Sequence, residues 1–278
     1  MKADDKIQAQ GLVVGYGGQP VCRGVDLDIP PGGFTVIVGP NGCGKSTLLR
    51  SMCRLLTPDA GQVLLAGHDI ARLPARELAR RIGLLPQSAE APAGITVADL
   101  VARGRYPHQG FFRQWSEADS SAVTAAMTAT GVAGLADRQV DHLSGGQRQR
   151  VWVAMALAQQ TPILFLDEPT TYLDIAHQVD LLDLLAGLHE GGRTLAAVLH
   201  DLNQACRYAT SLVVMSEGRI VAQGVPDQVM TPGLMRAVFG LDCLVIPDPV
   251  TGRPMIVPKS RTIRPGLSSS VDYKNNQA

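Results

Sequence analysis

Gly39-Pro40-Asn41-Gly42-Cys43-Gly44-Lys45-Ser46-Thr47 is the stretch on which the reading of the whole chain turns. It fits the pattern of a glycine, four residues, Gly-Lys and a hydroxyl residue. Phe34-Thr35-Val36-Ile37-Val38 before it is apolar enough for a buried parallel strand, and Thr47-Leu48-Leu49-Arg50-Ser51-Met52 after it reads as the first turns of a helix. Strand, glycine turn and helix start are the setting in which this pattern wraps a polyphosphate. Gly42 and Gly44 let the chain curl so that successive N–H groups and the positive helix end face the anion. The pattern predicts that Lys45 reaches the terminal phosphates and Ser46 holds Mg²⁺, with Cys43 a small filler inside the loop.

Composition sets the outer bounds. A chain of 278 residues suits one large α/β domain, or a core with one sizeable insert. Lys plus Arg and Asp plus Glu are 25 each, and this balance argues against nucleic acid as the main partner. Apolar residues at 45% point to a large core rich in Ala, Leu and Val. The cysteines Cys22, Cys43, Cys53, Cys206 and Cys243 are odd in number without paired spacing, which fits a reducing compartment and neither a disulfide framework nor a zinc site. Met1 to Lys6 is charged and no apolar signal core follows it. No apolar run approaches a membrane span, so membrane association is expected through a partner.

Along the chain, Ile7 to Tyr16 and Val21 to Ile29 alternate apolar and polar residues across Gly17-Gly18-Gln19-Pro20 and predict an antiparallel hairpin. Further strands are expected at 61–67, at Ile82 to Gln87, and at Ile163 to Leu166, with helices at Pro74 to Arg81 and Ile175 to Leu188. From Thr96 to about Thr130 helical signals dominate and predict an all-helical insert of about 88–158, in which Phe111 and Phe112 pack against the insert's own helices. Thr194 to Leu199 reads as a strand, Leu212 to Met215 with Arg219 to Gln223 as a second hairpin, and Pro226 to Phe239 as helix broken at Thr231-Pro232-Gly233. The Ser-, Asn- and Lys-rich tail, 259–278, is expected to be flexible.

Three further signals say what kind of phosphate site this is. Asp167-Glu168 ends an apolar strand, where one carboxylate can order Mg²⁺ and the second can take a proton from an attacking water. Ser144-Gly145-Gly146-Gln147 opens a helix and is a second anion-binding device, expected to serve a second copy of the protein across an interface. His200 follows an apolar strand, where an imidazole can donate to a γ-phosphate and orient water.

With these motifs in order, the chain resembles the ATP-binding subunits of ABC transporters from about Ile7 to Phe239. The resemblance implies a P-loop NTPase fold of the ABC type, α/β, with an antiparallel β subdomain and an inserted α-helical subdomain, spanning 1–258. It implies that Tyr16 stacks on adenine, that Gly39, Pro40 and Asn41 through Thr47 form the Walker A loop, and that Gln87 touches Mg²⁺ and water and relays to a membrane subunit. Leu143 to Gln147 is then the signature, Asp167 and Glu168 the Walker B pair, Leu173-Asp174 the D-loop and His200 the switch histidine. Tyr172 departs from the small residue that many relatives carry. A head-to-tail homodimer would sandwich ATP and Mg²⁺, and hydrolysis would drive a membrane permease served by an extracytoplasmic substrate-binding protein, at the cytoplasmic face of the bacterial inner membrane.

A narrower resemblance rests on Ala102-Arg103-Gly104-Arg105-Tyr106-Pro107-His108, on Pro169 to Asp174, on His200-Asp201-Leu202-Asn203-Gln204-Ala205 and on Pro249-Val250-Thr251-Gly252-Arg253-Pro254. Together they are similar to ATPases of ferric-siderophore importers of the ferric enterobactin and ferric dicitrate type. Cobalamin, haem or a metal ion is the alternative cargo, since no residue of this subunit would touch it. A soluble ABC ATPase acting on DNA or ribosomes fits less well. The gap of roughly a hundred residues between Thr47 and Leu143 shows no coiled-coil heptads, and the chain holds one cassette.

Overall fold

Every residue of three five-residue segments, Phe34–Val38, Ile163–Asp167 and Thr194–Val198, is buried. Each must therefore be covered on both faces, the condition of a central parallel strand. The computed structural model describes residues 6–87, 90–110 and 115–259; the expectations for Met1 to Asp5, for Phe111 and Phe112 and for the tail from residue 260 lie outside the described residues.

In chain order, β1 (Ile7–Tyr16) and β2 (Gln19–Ile29) form a hairpin, and β3 (Phe34–Val38) leads into α1 (Lys45–Met52). Then come β4 (Ala60–Leu65), β5 (His68–Asp69), α2 (Ala75–Arg81) and β6 (Ile82–Leu85), followed by the helices α3 (Val97–Ala102), α4 (Glu117–Ala129) and α5 (Gly145–Ala158). β7 (Ile163–Asp167), α6 (Ile175–Glu190), β8 (Thr194–Val198) and α7 (Leu202–Tyr208) follow. The described chain closes with β9 (Ser211–Ser216), β10 (Arg219–Gly224), α8 (Pro226–Val229), α9 (Pro232–Phe239), β11 (Cys243–Pro247) and β12 (Pro254–Pro258).

A six-stranded sheet in the order β10-β9-β3-β8-β7-β6 is parallel except for β10, and a four-stranded antiparallel sheet in the order β2-β1-β4-β5 lies apart from it. Side-chain alternation divides the buried residues of the main sheet between two cores. Val36, Leu164, Leu166, Ala197 and Val214 share one core with α3 to α7. Ile37, Phe165, Ala196, Val198 and Val213 share the other with α1 and the antiparallel sheet. The helices between β6 and β7 pack on each other, with Leu100, Val123, Met127, Val151 and Trp152 in the first core.

Three local features depart from the sequence reading. Tyr16 pairs with Gln19, so the first turn is only Gly17-Gly18, and Gln19 and Pro20 belong to β2 rather than to the turn. α7 and the hairpin β11–β12 had no counterpart in the expected elements. That hairpin is anchored by Asp248, whose Oδ2 accepts from Arg207 Nη2 on α7 at 2.7 Å while Oδ1 accepts from the N–H groups of Val250 and Thr251 at 2.8 and 3.0 Å.

The Arg207 hydrogen bond first, then the two backbone donors, hold the Asp248 carboxyl down to about 2. A depressed carboxyl contributes stability that is complete above its ordinary value near 3.8 and is lost as pH falls toward about 2. Urea unfolding followed from pH 5 to pH 2 is therefore expected to show a shallower acid loss in Asp248→Asn than in the unsubstituted chain.

Candidate functional site

The loop after β3 has no room for side chains at its ends. Gly39 lies at φ +154°, and a Cβ there would collide with the carbonyl oxygen of Met215 on β9 and stand 2.9 Å from Cys43 Sγ. Gly44, at φ +105°, would press a Cβ to 3.2 Å from Val21 Cγ1 and 3.3 Å from Cys22 Sγ. Gly218 N donates to Cys43 O at 3.1 Å and Arg23 N to Gly218 O at 2.9 Å, which stitches the loop to the β9–β10 turn and to β2. The sequence pattern pointed to Gly42 and Gly44; the packing of the loop on β9 falls on Gly39. Inside the curl, Lys45 is 5% exposed and its ammonium donates to Gly39 O and Pro40 O at 2.9 Å each. Burial raises the pKa of the Cys43 thiol above its ordinary value against the opposing pull of Lys45, so Cys43 stays a protonated filler at neutral pH.

Asp167, fully buried at the end of β7, accepts from Ser46 Oγ at 2.7 Å through Oδ1. Its Oδ2 stands 3.9 Å from Arg50 Nε and has no hydrogen-bond partner among the described residues. Burial pushes the Asp167 carboxyl above its usual range, and Ser46 and Arg50 counter it. A hydroxyl and a carboxylate with an unused oxygen form a hard-oxygen donor set of the kind Mg²⁺ prefers when phosphate oxygens and water complete its shell. Arg50 went unnoticed in the sequence, although it follows Ser46 at helical spacing on the same face of α1.

Glu168 sits in left-handed backbone at φ +54°. Its Oε1 lies 2.8 Å from His200 Nε2 and its Oε2 accepts from Thr171 Oγ1 at 3.4 Å. Burial tends to raise this carboxyl, but hydrogen bonds from His200, Gln87 and Thr171 and the His200 charge outweigh it, so the net shift is downward. Glu168 is therefore a carboxylate at neutral pH and able to receive a proton.

A cavity of about 540 Å³ brings the two sides together. The loop contributes Asn41, Gly42, Gly44, Lys45, Ser46 and Thr47, and Gln87, Glu168 and His200 face it. Tyr16 is 51% exposed at the end of β1 and does not line this cavity, although Val21 of the same hairpin does. Ser144 to Gln147 and Asp174 do not line it either. Ser144 caps α5 through a capping box: its Oγ accepts from Gln147 N at 3.2 Å and its N donates to Gln147 Oε1 at 3.1 Å. Gly145 instead borders a second cavity of about 290 Å³ with Arg148, Trp152 and Tyr172, and Gln87 lines both. Asp174 caps α6, accepting from His177 N at 2.9 Å.

Comparison with known proteins agrees with this arrangement. A family model described as ABC transporter matches residues 22–171, more than half of the chain. The chain belongs to this family. The ferric enterobactin transport ATP-binding protein of Escherichia coli (strain K12) is 57% identical over 92% of this chain and 95% of its own length. A probable siderophore transport system ATP-binding protein of Bacillus subtilis (strain 168) is 52% identical over 92% and 93%. Among solved structures, a dimeric ATP-binding cassette in a post-hydrolysis state bound to ADP and Pi superposes with a TM-score of 0.71 at 26% identity, covering 79% of this chain and 98% of that one. This chain is an ABC ATPase cassette that binds ATP.

His200 supplies the largest of the contacts that lower the Glu168 carboxyl. His200→Ala is expected to raise the Glu168 pKa, read by carboxyl-carbon NMR titration. An unchanged or lower value would contradict the 2.8 Å contact.

Proposed function

We propose that this chain hydrolyses ATP to energise import of an iron(III)-siderophore complex through a partner membrane permease. The supporting observation is the meeting of the Lys45 loop with Glu168 and His200 around one cavity, with Asp167 hydrogen-bonded to Ser46 of its lining, in a chain so close to a ferric enterobactin transport ATP-binding protein. In this reading Gly39 to Thr47 cradle the phosphates, Lys45 neutralises charge on the terminal one, and Tyr16 stacks on the base at the hairpin end. Glu168 receives the proton of the attacking water, and His200 and Gln87 hold that water and the terminal phosphate in line. Ser46, Asp167 and Gln87 would hold Mg²⁺, which when bound spreads the phosphate charge.

The placement of the signature favours two copies arranged head to tail. Ser144 to Gln147 form an anion-ready helix start that does not open on the chain's own phosphate cavity, so the second copy's nucleotide is its natural ligand. Asp174 and Tyr172 belong to the same surface. Among the described residues no helix is long and apolar enough to cross a membrane. Attachment to the cytoplasmic face of the bacterial inner membrane then runs through the permease, with a substrate-binding protein delivering cargo on the far side.

Lys45→Ala is expected to lower ATP turnover at least a hundredfold, since it leaves terminal phosphate charge uncompensated. Glu168→Gln is expected to retain ATP and accumulate as a dimer by size exclusion with ATP and Mg²⁺; a monomer under those conditions would contradict the head-to-tail arrangement. For the cargo, deletion of the chain is expected to abolish growth on a ferric siderophore as the sole iron source and to spare growth on free iron. Loss of cobalamin-dependent growth alone would reassign it.

A further inference from the structure

The turn Pro169 to Asp174 follows Glu168 and reaches the surface, with Tyr172 77% exposed in left-handed backbone at φ +68°. Its carbonyls are taken by glutamines from two helices. Gln149 Nε2 on α5 donates to Pro169 O at 3.0 Å, and Gln178 Nε2 on α6 donates to Leu173 O at 3.0 Å and Thr170 O at 3.4 Å. Both partners of Gln178 are acceptors, so its amide nitrogen must face the turn and its oxygen must face away. That oxygen receives Gln204 Nε2 from α7 at 2.8 Å. Asp201 caps α7 by accepting from the N–H groups of Asn203 and Gln204 at 2.8 and 2.9 Å, and it directly follows His200. His200 returns to Glu168, whose other oxygen accepts from Thr171 in the turn. The contacts close a ring through Glu168, Thr171, the turn, Gln178, Gln204, Asp201 and His200.

We propose that Gln178 and Gln204 are positioning residues: their amide pair couples the Thr170–Asp174 turn to His200, so that a second copy of this chain seated against the turn sets the histidine's position on Glu168. The inference rests on the ATPase reading above. Neither glutamine lines the phosphate cavity. Tyr208 OH also donates to Asp183 Oδ1 at 2.7 Å, so α6 and α7 stay joined without the amide pair.

The test is steady-state ATP hydrolysis by the full chain with its permease, with melting temperatures alongside. Gln178→Ala and Gln204→Ala are each expected to lower kcat about tenfold with KM for ATP held within about twofold, because orientation is lost and nucleotide contacts are kept. The double variant is expected to fall no lower than the worse single, since both remove one coupling. Gln204→Glu, which keeps the shape but sets oxygen against oxygen, is expected to be as slow as Gln204→Ala. Gln204→Lys restores a donor and is expected to recover most of the rate. Multiplied losses in the double variant, wild-type kcat in Gln204→Glu, or losses carried by KM would overturn the coupling while leaving the ATPase reading intact. An unsubstituted complex with no turnover would overturn both.

Discussion

The hydrogen bond from Ser46 to Asp167, 2.7 Å long, joins residues 121 apart in sequence, and the site depends on the sheet that makes it possible. β8 lies between β3 and β7, with Ile37 level with Val198 and Val198 level with Asp167. Alternation puts Asp167 on the same face as Phe165, and that face packs against Leu48, Leu49 and Met52 of α1. A register slip of one residue would turn Asp167 toward the other core and leave Ser46 without it. Because β6, β7, β8 and β3 run parallel, their carboxyl ends deliver Gln87, Glu168, His200 and the glycine loop to one edge.

Much of this was legible from local pattern. The apolar runs at 34–38, broken only by Thr35, and at 163–166 announced buried strands, and residues just after them, the glycine loop and Glu168, are brought together at one cavity. What escaped notice lacked a local signal. β11 and β12 are bounded by Pro247, Pro254 and Pro258, which read as breakers, and the two strands gain their place only by packing on α7 and α9. α7 is only seven residues long, too short for a helical period to stand out, and its Asp201 cap directly follows the strand-end His200. Gln149, Gln178 and Gln204 carry no local signal of a turn-holding role. Their partners are backbone carbonyls and one another across helices, which no periodicity encodes. The separation of the Ser144 helix start from the phosphate cavity is likewise a tertiary fact.

Two of the non-glycine residues in left-handed backbone flank the turn after β7. Glu168 and Tyr172, neither of them glycine, occupy left-handed conformations within five residues. Such residues persist only where their surroundings overdetermine them. Here the surroundings are explicit: Gln149 and Gln178 take the carbonyls of the turn, Leu173 is buried and Asp174 caps α6. The strain at Glu168 turns its carboxylate off the strand axis toward His200 and Gln87, while Asp167, one residue earlier and still in the strand, points to α1.

The two sides of the cavity differ in how firmly they are held. Lys45 at 5% exposure donates to the loop's own carbonyls and Asp167 at 0% accepts from Ser46, so the floor of the site is built from buried, hydrogen-bonded groups. The opposite wall is looser. Gln87 is exposed beyond the last strand residue Leu85, and the His200 side chain is 49% exposed just past β8. A rigid floor allows tight binding of a polyphosphate without committing to its cleavage, because the groups that would orient water are those most easily displaced. Displacement of either is felt by Glu168, which both contact, and through Gln87 it extends to the second cavity beside the Ser144 helix. On the proposed reading, a second copy seated on that helix would act on the wall and leave the floor unchanged, separating the step of holding nucleotide from the step of breaking it.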